Sequence, residues 1–297
     1  RRHTRYIGDW SSDVCSSDLD PSYLNQILVL TYPLIGNYGI GETEYDEYGI
    51  DKIFESNNIH IKALIVGEYN PKYSHWNGKR SLGEWLKEKN IVGISGVDTR
   101  ELVKIIRENQ DIIAKISNIN IDNNESNNVS NNINKLSNFS IDDVNKEIHS
   151  TNIFLKMNPF GKPINDNKVI INENSELLNI LVIDCGIKNS QLRALLKQNI
   201  QLTIVDLNYY FINEVLNGKY DGIFISNGPG NPKNAELVIN QLRQIFTDNI
   251  NIPIFGICYG HQLIGLAGGF DVGRMKYGDR KSTRLNSSHR CISYAVF

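Results

Sequence analysis

Cys258 is the residue of this sequence best placed for covalent chemistry. It lies in the run Gly256-Ile-Cys-Tyr-Gly260, between a predicted strand and a predicted helix. Glycines at these two positions remove Cβ atoms where a strand and a helix meet at a sharp turn, which holds the cysteine in a strained conformation with its sulfur exposed. The positive end of the helix favours a thiolate there, and the backbone N–H of Tyr259 is placed to donate to an oxyanion. The pattern predicts a nucleophile; the alternative is a small buried hydrophobic residue beside two structural glycines.

A second glycine-rich segment lies at the end of the preceding predicted strand. It reads SNGPGNP over residues 226–232. Gly228 and Gly230 allow a tight turn that presents backbone amides, so we predict a second oxyanion donor and a substrate contact here. Taken alone, a Gly/Pro loop of this kind indicates only a turn.

Residues 177–280 alternate apolar strands with amphipathic helices, an arrangement that positions both loops. Strands are predicted at 178–184, 202–205, 220–225 and 254–257, and helices at 190–198, 209–216, 235–246 and 259–267. Near-continuous apolar strands separated by helices indicate an α/β fold with a mostly parallel sheet covered by helices on both faces. The carboxyl ends of such strands meet at one edge of the sheet, where ligands bind.

Residues 20–116 form a smaller mixed α/β domain ahead of this sheet. Strands are predicted at 26–32, 61–66 and 91–94, a helix at 81–89, and a second helix that begins after Asp98 or Thr99 as N-cap. Residues 117–176 are predicted to be an insertion or linker, because 11 of the 34 residues in 117–150 are Asn.

The two ends of the chain have neither helical nor strand periodicity. Residues 1–19 and 281–297 resemble translated cloning or adapter sequence and are expected to be foreign to the fold. On this interpretation the natural protein is truncated.

Composition excludes several classes of protein. The net charge of −2 gives no electrostatic reason for binding nucleic acid or an anionic membrane surface. No apolar run reaches the roughly 20 residues of a spanning helix. The four cysteines form neither a CxxC pair nor a zinc-type cluster, so we expect a cytoplasmic protein without a structural metal.

Together these motifs resemble the class I (triad) glutamine amidotransferases, and among them the small, glutamine-hydrolysing chain of carbamoyl-phosphate synthetase. The resemblance rests on PIFGICYGHQ at 253–262 and ISNGPGNP at 225–232. It extends to the segments DPSY (20–23), LTYPLIGNYG (30–39), GVDTRELVKIIRE (96–108), IDCGIKNSQLRALL (183–196) and MKYGDR (275–280). Residues 54–59 and 74–86 are closer to the eukaryotic, multifunctional pyrimidine-pathway type than to bacterial chains.

The resemblance implies a role for each motif. Cys258 would attack the carboxamide of glutamine, form a γ-glutamyl thioester and release ammonia. Gly228 and Tyr259 would supply the backbone oxyanion donors, and Ser22, Gly230 and Gln262 would hold the glutamine. The ammonia would pass to a synthetase partner, either a large chain or a fused domain. That partner would use ATP, Mg²⁺ and bicarbonate, with no cofactor or metal in this chain.

The family pattern also has elements that this sequence lacks. The thiol needs a base that is oriented by a third group. The family supplies this pair as a His followed two residues later by Glu, far beyond the strand-to-helix turn around Cys258, which we call the elbow. Only 39 residues follow Cys258. His261 is too close to the cysteine and is expected to have a structural role, and His289 lies in the foreign-looking tail. Asp279 stands where the family has Asn or His. The chain as written is therefore expected to have negligible glutaminase activity.

Two other functions remain open at this point. One is another class I amidotransferase, such as those that feed anthranilate or GMP synthesis, which the 20–116 domain disfavours. The other is a non-catalytic α/β binding module. The sequence also leaves open whether the product serves arginine or pyrimidine synthesis.

Overall fold

Two sheets organise the protein, for which we describe a computed structural model over residues 20–108, 114, 116 and 168–272. The first sheet has three strands in the order β1-β2-β3, and the second has five in the order β4-β6-β5-β7-β8. Within the described residues, no helix combines the length and the apolar character needed to cross a bilayer. The arrangement confirms the predicted α/β fold class.

The N-terminal sheet is parallel throughout. Its strands are β1 (Ile27–Leu30), β2 (Ala63–Val66) and β3 (Val92–Ile94), and its helices are α1 (Leu82–Glu88) and α2 (Thr99–Glu108). Helix α1 begins with a capping box, because Ser81 and Glu84 each accept a backbone N–H of the other. Asp98 accepts from the N–H of Glu101 at 3.0 Å, so of the two predicted N-caps Asp98 is the one that the structure uses.

The second sheet carries the glycine-rich loops. Its strands are β4 (Lys168–Ile171), β5 (Asn179–Asp184), β6 (Gln201–Asp206), β7 (Gly222–Ile225) and β8 (Ile254–Gly256), and its helices are α3 (Asn189–Leu196), α4 (Ile212–Leu216), α5 (Glu236–Thr247) and α6 (Tyr259–Ala267). β5, β6, β7 and β8 are parallel, and β4 pairs with β6 in the antiparallel sense. Helices α4, α5 and α6 contribute to the apolar cluster on one face, while α3 contributes to the cluster on the other.

Strand β4 corrects the predicted extent of the linker. The composition predicts a linker over 117–176, yet Lys168–Ile171 is an edge strand within it. Val169 and Ile171 alternate with less buried residues and pack against the sheet, which is the period-2 pattern of a half-buried strand. The predicted helix over 209–216 is also too long, since α4 begins only at Ile212.

The N-terminal unit packs against the first turn of α3. The Asn189 side chain donates to Phe54 O at 2.9 Å, and the Ser190 N–H donates to a Glu55 carboxylate oxygen at 2.9 Å. A carboxylate at this position also complements the positive end of the helix. Ile50 of the N-terminal unit is fully buried in the apolar cluster around α3. These contacts hold residues 50–55 of the N-terminal unit against helix α3.

Candidate functional site

The elbow around Cys258 has the geometry that the sequence predicts. Cys258 lies between the end of β8 and the start of α6, with φ 51° and ψ −99°. For a residue with a side chain this conformation costs on the order of 1–3 kcal/mol and is retained only where the surroundings enforce it. The cysteine is exposed to solvent. A strained, exposed thiol at a helix N-terminus is the arrangement of a nucleophile rather than of a core residue.

The two flanking glycines are required by close packing. A Cβ added to Gly256 would lie 2.6 Å from the carbonyl carbon of Gly260, and one added to Gly260 would lie 2.3 Å from Ile225 O. The Gly260 N–H also donates to Ser226 O at 3.1 Å. Helix α6 therefore lies directly against the end of β7, which brings the elbow beside the loop that follows that strand.

The loop at 226–232 packs closely against the turn that follows β5. A Cβ on Gly228 would lie 2.1 Å from Cys185 O, in the turn that follows β5. Gly230 has φ +87°, a conformation that residues with side chains rarely adopt. The main chain thus excludes a side chain at Gly228 and disfavours one at Gly230, and both residues lie at the edge of the sheet that carries Cys258.

Ser22 reaches this loop from the N-terminal unit. It lies in a short 3₁₀ helix, Pro21–Tyr23, whose N-cap Asp20 accepts from the Ser22 N–H at 2.9 Å. The hydroxyl oxygen of Ser22 accepts from the side-chain amide of Asn227 at 2.9 Å. A residue predicted from the resemblance to contact glutamine is therefore brought next to Gly228 across 205 positions of sequence.

Lys188 is a charged residue of this site that the sequence analysis missed. Its ammonium pairs with Asp20 at 2.8 Å. Burial acts to lower the pKa of Lys188, but the charges of Asp20 and Glu55 and the neighbouring Cys258 act against it and hold that pKa above its ordinary value. The side chain therefore remains a cation in the neighbourhood of Cys258. Lys188 could have been found from the sequence by its position just after the end of β5, because ligands bind at this edge of a parallel sheet.

The remaining predicted residues lie on α6. The Tyr259 ring is buried and its hydroxyl lies 3.4 Å from Asn231 O, so the side chain anchors the 226–232 loop while the backbone begins the helix. Gln262 is half-buried, and its N–H donates to Cys258 O at 3.1 Å. His261 is half-buried, and its buried Nδ1 has no hydrogen-bond partner within the described part of the chain. His289 and Asp279 lie outside the described residues.

The donor set of the site indicates acyl chemistry. One exposed thiol, two glycine-rich turns and one partly buried ammonium are brought together, which are the parts needed to attack a carbonyl and stabilise the resulting oxyanion. Over the ranges 20–108 and 168–272, no cluster of three or more His, Cys, Asp or Glu residues is arranged to hold a metal ion.

Comparison with known proteins agrees with this geometry. Residues 17–116 match the family model of the carbamoyl-phosphate synthase small chain, CPSase domain, and residues 181–295 match that of glutamine amidotransferase class-I. The second match extends into the segment 281–297 that the sequence analysis expects to be foreign.

Three curated proteins are similar to this chain over most of its length. "Multifunctional protein CAD" of Squalus acanthias is 40% identical over 261 residues, which covers 88% of this chain and 10% of that protein. "Multifunctional protein pyr1-3" of Dictyostelium discoideum is 41% identical over 264 residues, covering 88% and 11%. "Carbamoyl phosphate synthase arginine-specific small chain" of Saccharomyces cerevisiae is 38% identical over 264 residues, covering 88% and 58%. The chain thus spans about a tenth of the multifunctional relatives and somewhat more than half of the small chain.

The first match covers the three strands of the N-terminal sheet, and the second begins within β5 and contains the cysteine elbow. In order along the chain, the matches are to the CPSase domain of carbamoyl-phosphate synthase small chains and to the class I glutamine amidotransferases.

Proposed function

We propose that this chain is the glutaminase component of a carbamoyl-phosphate synthase. The observation that carries the proposal is Cys258, exposed and strained at the start of α6, with the Gly228 loop beside it. The general base that the resemblance implies takes the thiol proton, the thiolate attacks the carboxamide carbon of glutamine and the C–S bond forms; the C–N bond then breaks as the base gives that proton to the departing ammonia. Water then cleaves the thioester to glutamate and returns the thiol.

Stabilisation of the tetrahedral oxyanion is assigned to backbone donors. The N–H groups of Gly228 and Tyr259 belong to the two turns that meet at the sheet edge, and preorganised donors of this kind contribute about 10²–10³ each in rate. The Lys188 ammonium, paired with Asp20, adds a positive charge near Cys258. Because Asp20 is buried and holds Lys188 at 2.8 Å, this charge is kept in place before substrate arrives.

Glutamine is held, in this proposal, by groups from both units. Ser22 offers a hydroxyl from the N-terminal unit, Gly230 offers backbone in a tight turn, and Gln262 offers an amide one helical turn after Cys258. Joining two units at the site explains why the N-terminal domain accompanies the amidotransferase domain.

The partner is a synthetase that consumes the ammonia. The names of the relatives support either a separate large chain or a fused domain, as in the multifunctional proteins. ATP, Mg²⁺ and bicarbonate are assigned to that partner. We also propose a cytoplasmic location, which is supported by a cysteine pattern that contains no CxxC pair.

Covalent labelling of the full-length protein tests the proposal. A chloroketone analogue of glutamine should alkylate Cys258 stoichiometrically, and glutamine should slow the reaction competitively. Cys185→Ser is the matched control, since this thiol is buried and burial raises its pKa well above the ordinary value, so labelling should be unchanged. Cys258→Ser should abolish labelling. Alkylation that glutamine does not slow would instead support a non-catalytic binding module.

A further inference from the structure

Asn227 makes contacts on both sides of the 226–232 loop. Its side-chain amide nitrogen donates to Ser22 Oγ at 2.9 Å and to Gly186 O at 3.1 Å. The side chain is 6% exposed, and its Oδ1 is buried without a partner in the described part of the chain. The contact with the Gly186 carbonyl sets the orientation of the amide, because the flipped amide would face one oxygen with another.

The carbonyl of Gly186, which accepts from Asn227, belongs to the turn that packs against Gly228. Asp184 Oδ1 accepts from the N–H groups of Gly186 and Ile187, each at 2.8 Å, which shapes this turn. A Cβ on Gly186 would lie 3.2 Å from the Cα of Gly228. A shift of the Gly186 peptide would therefore move the main chain of Gly228, one of the assigned oxyanion donors.

The other acceptor of Asn227 is a residue assigned to glutamine binding. Because Ser22 Oγ accepts from the amide, the hydroxyl proton of Ser22 points away from Asn227 and can be directed only at another group. Asp20 fixes the backbone of Ser22 but not the direction of its hydroxyl. The amide of Asn227 thus fixes the position of the Ser22 hydroxyl oxygen.

We propose that Asn227 is a positioning residue that couples the N-terminal unit to the oxyanion loop. One amide group donates both to the Ser22 hydroxyl and to Gly186 O, and Gly186 packs against Gly228. The proposed glutamine contact and the proposed oxyanion donor are therefore positioned by the same side chain. This inference rests on the proposed glutaminase function, since it assigns Asn227 an effect on the same site.

The test compares two alkylating reagents on the full-length protein. The chloroketone analogue of glutamine requires the aligned site, whereas iodoacetamide requires only an accessible thiolate. Asn227→Ala should slow the chloroketone reaction on the order of tenfold or more, because it removes a buried hydrogen-bonding group with two partners, and should change the iodoacetamide rate less than about twofold. Asn213→Ala, an exposed Asn on α4, is the matched control and should change neither rate.

A double-variant cycle separates positioning from general destabilisation. If Asn227 acts through Ser22, the Ser22→Ala/Asn227→Ala protein should be about as slow as the slower single variant. Additive losses, or equal losses with both reagents, would overturn the inference. Failure of glutamine to protect the unaltered protein would instead overturn the proposed function.

Asn227→Asp keeps the shape of the side chain and gives an independent readout if the alanine variant does not fold. A protonated carboxyl can donate one hydrogen bond to Gly186 O, whereas the carboxylate cannot. The ratio of its chloroketone rate to that of the unaltered protein should therefore rise as the pH is lowered. A ratio that does not change with pH contradicts the positioning role.

Discussion

Replacement of Gly260 by alanine tests the packing that builds the elbow. The added Cβ would lie 2.3 Å from Ile225 O and 2.8 Å from both the carbonyl carbon and the Cβ of Ile225. Since the obstacle is mostly backbone, helix α6 would have to move away from β7 by on the order of 1 Å. Such overpacking costs about 1–3 kcal/mol, and lengthening the hydrogen bond from Gly260 N to Ser226 O costs about 0.5–1.5 kcal/mol more.

Gly265→Ala in the same helix is the matched control. A Cβ on Gly265 would have nothing within 4 Å, so the substitution adds helix propensity without a clash. The propensity gain is shared by the two variants, and the free energy of unfolding of Gly260→Ala should therefore be about 2–4 kcal/mol below that of Gly265→Ala. Urea unfolding measures this difference, and chloroketone labelling of Cys258 should fall in Gly260→Ala alone. Equal stabilities, or unchanged labelling in Gly260→Ala, would refute the packing argument.

Two further predictions concern the pH dependence of stability. Burial lowers the pKa of His60 to about 4, with Asp20 acting in the opposite direction. The unfolded chain therefore binds this proton more tightly, and stability should fall as the pH drops from about 6.5 towards 4. His60→Gln should reduce the dependence of the free energy of unfolding on pH over this range, as measured by urea unfolding. An equal pH dependence in the two proteins would contradict the prediction. Burial raises the pKa of Asp184 to about 6, so its contribution is present at low pH and is lost as the pH rises through 6. Asp184→Asn should gain up to about 3 kcal/mol relative to the unaltered protein between pH 4 and pH 8, and a constant difference over that range would contradict this.

The elbow and its sheet could be predicted because their signals are local. Apolar runs and amphipathic spacing predict the parallel strands and their helices, and α6 spans the predicted Tyr259–Ala267. Glycines on either side of Cys258 indicate the sharp turn directly, since only residues without a Cβ fit between α6 and β7. Patterns of this kind depend on neighbours within one or two turns of chain, which the sequence displays.

Strand β4 and the cap of α2 show the limits of the local signals. A four-residue strand inside the predicted linker has too short an alternation to be separated from it, and pairing with β6 is what places these residues in the sheet. The sequence offered both Asp98 and Thr99 as N-cap, and the hydrogen bond to Glu101 decides between them.

The polar contacts between the two units were decided only by the tertiary structure. The Asp20–Lys188 ion pair and the hydrogen bond from Asn227 to Ser22 join residues that lie far apart in sequence. A buried polar side chain takes whatever partner the packing of other elements brings within about 3 Å, and no periodicity encodes that distance. By itself the sequence singled out the proposed nucleophile and the two turns proposed to present amides; the folded chain determined which charged and amide side chains lie beside them.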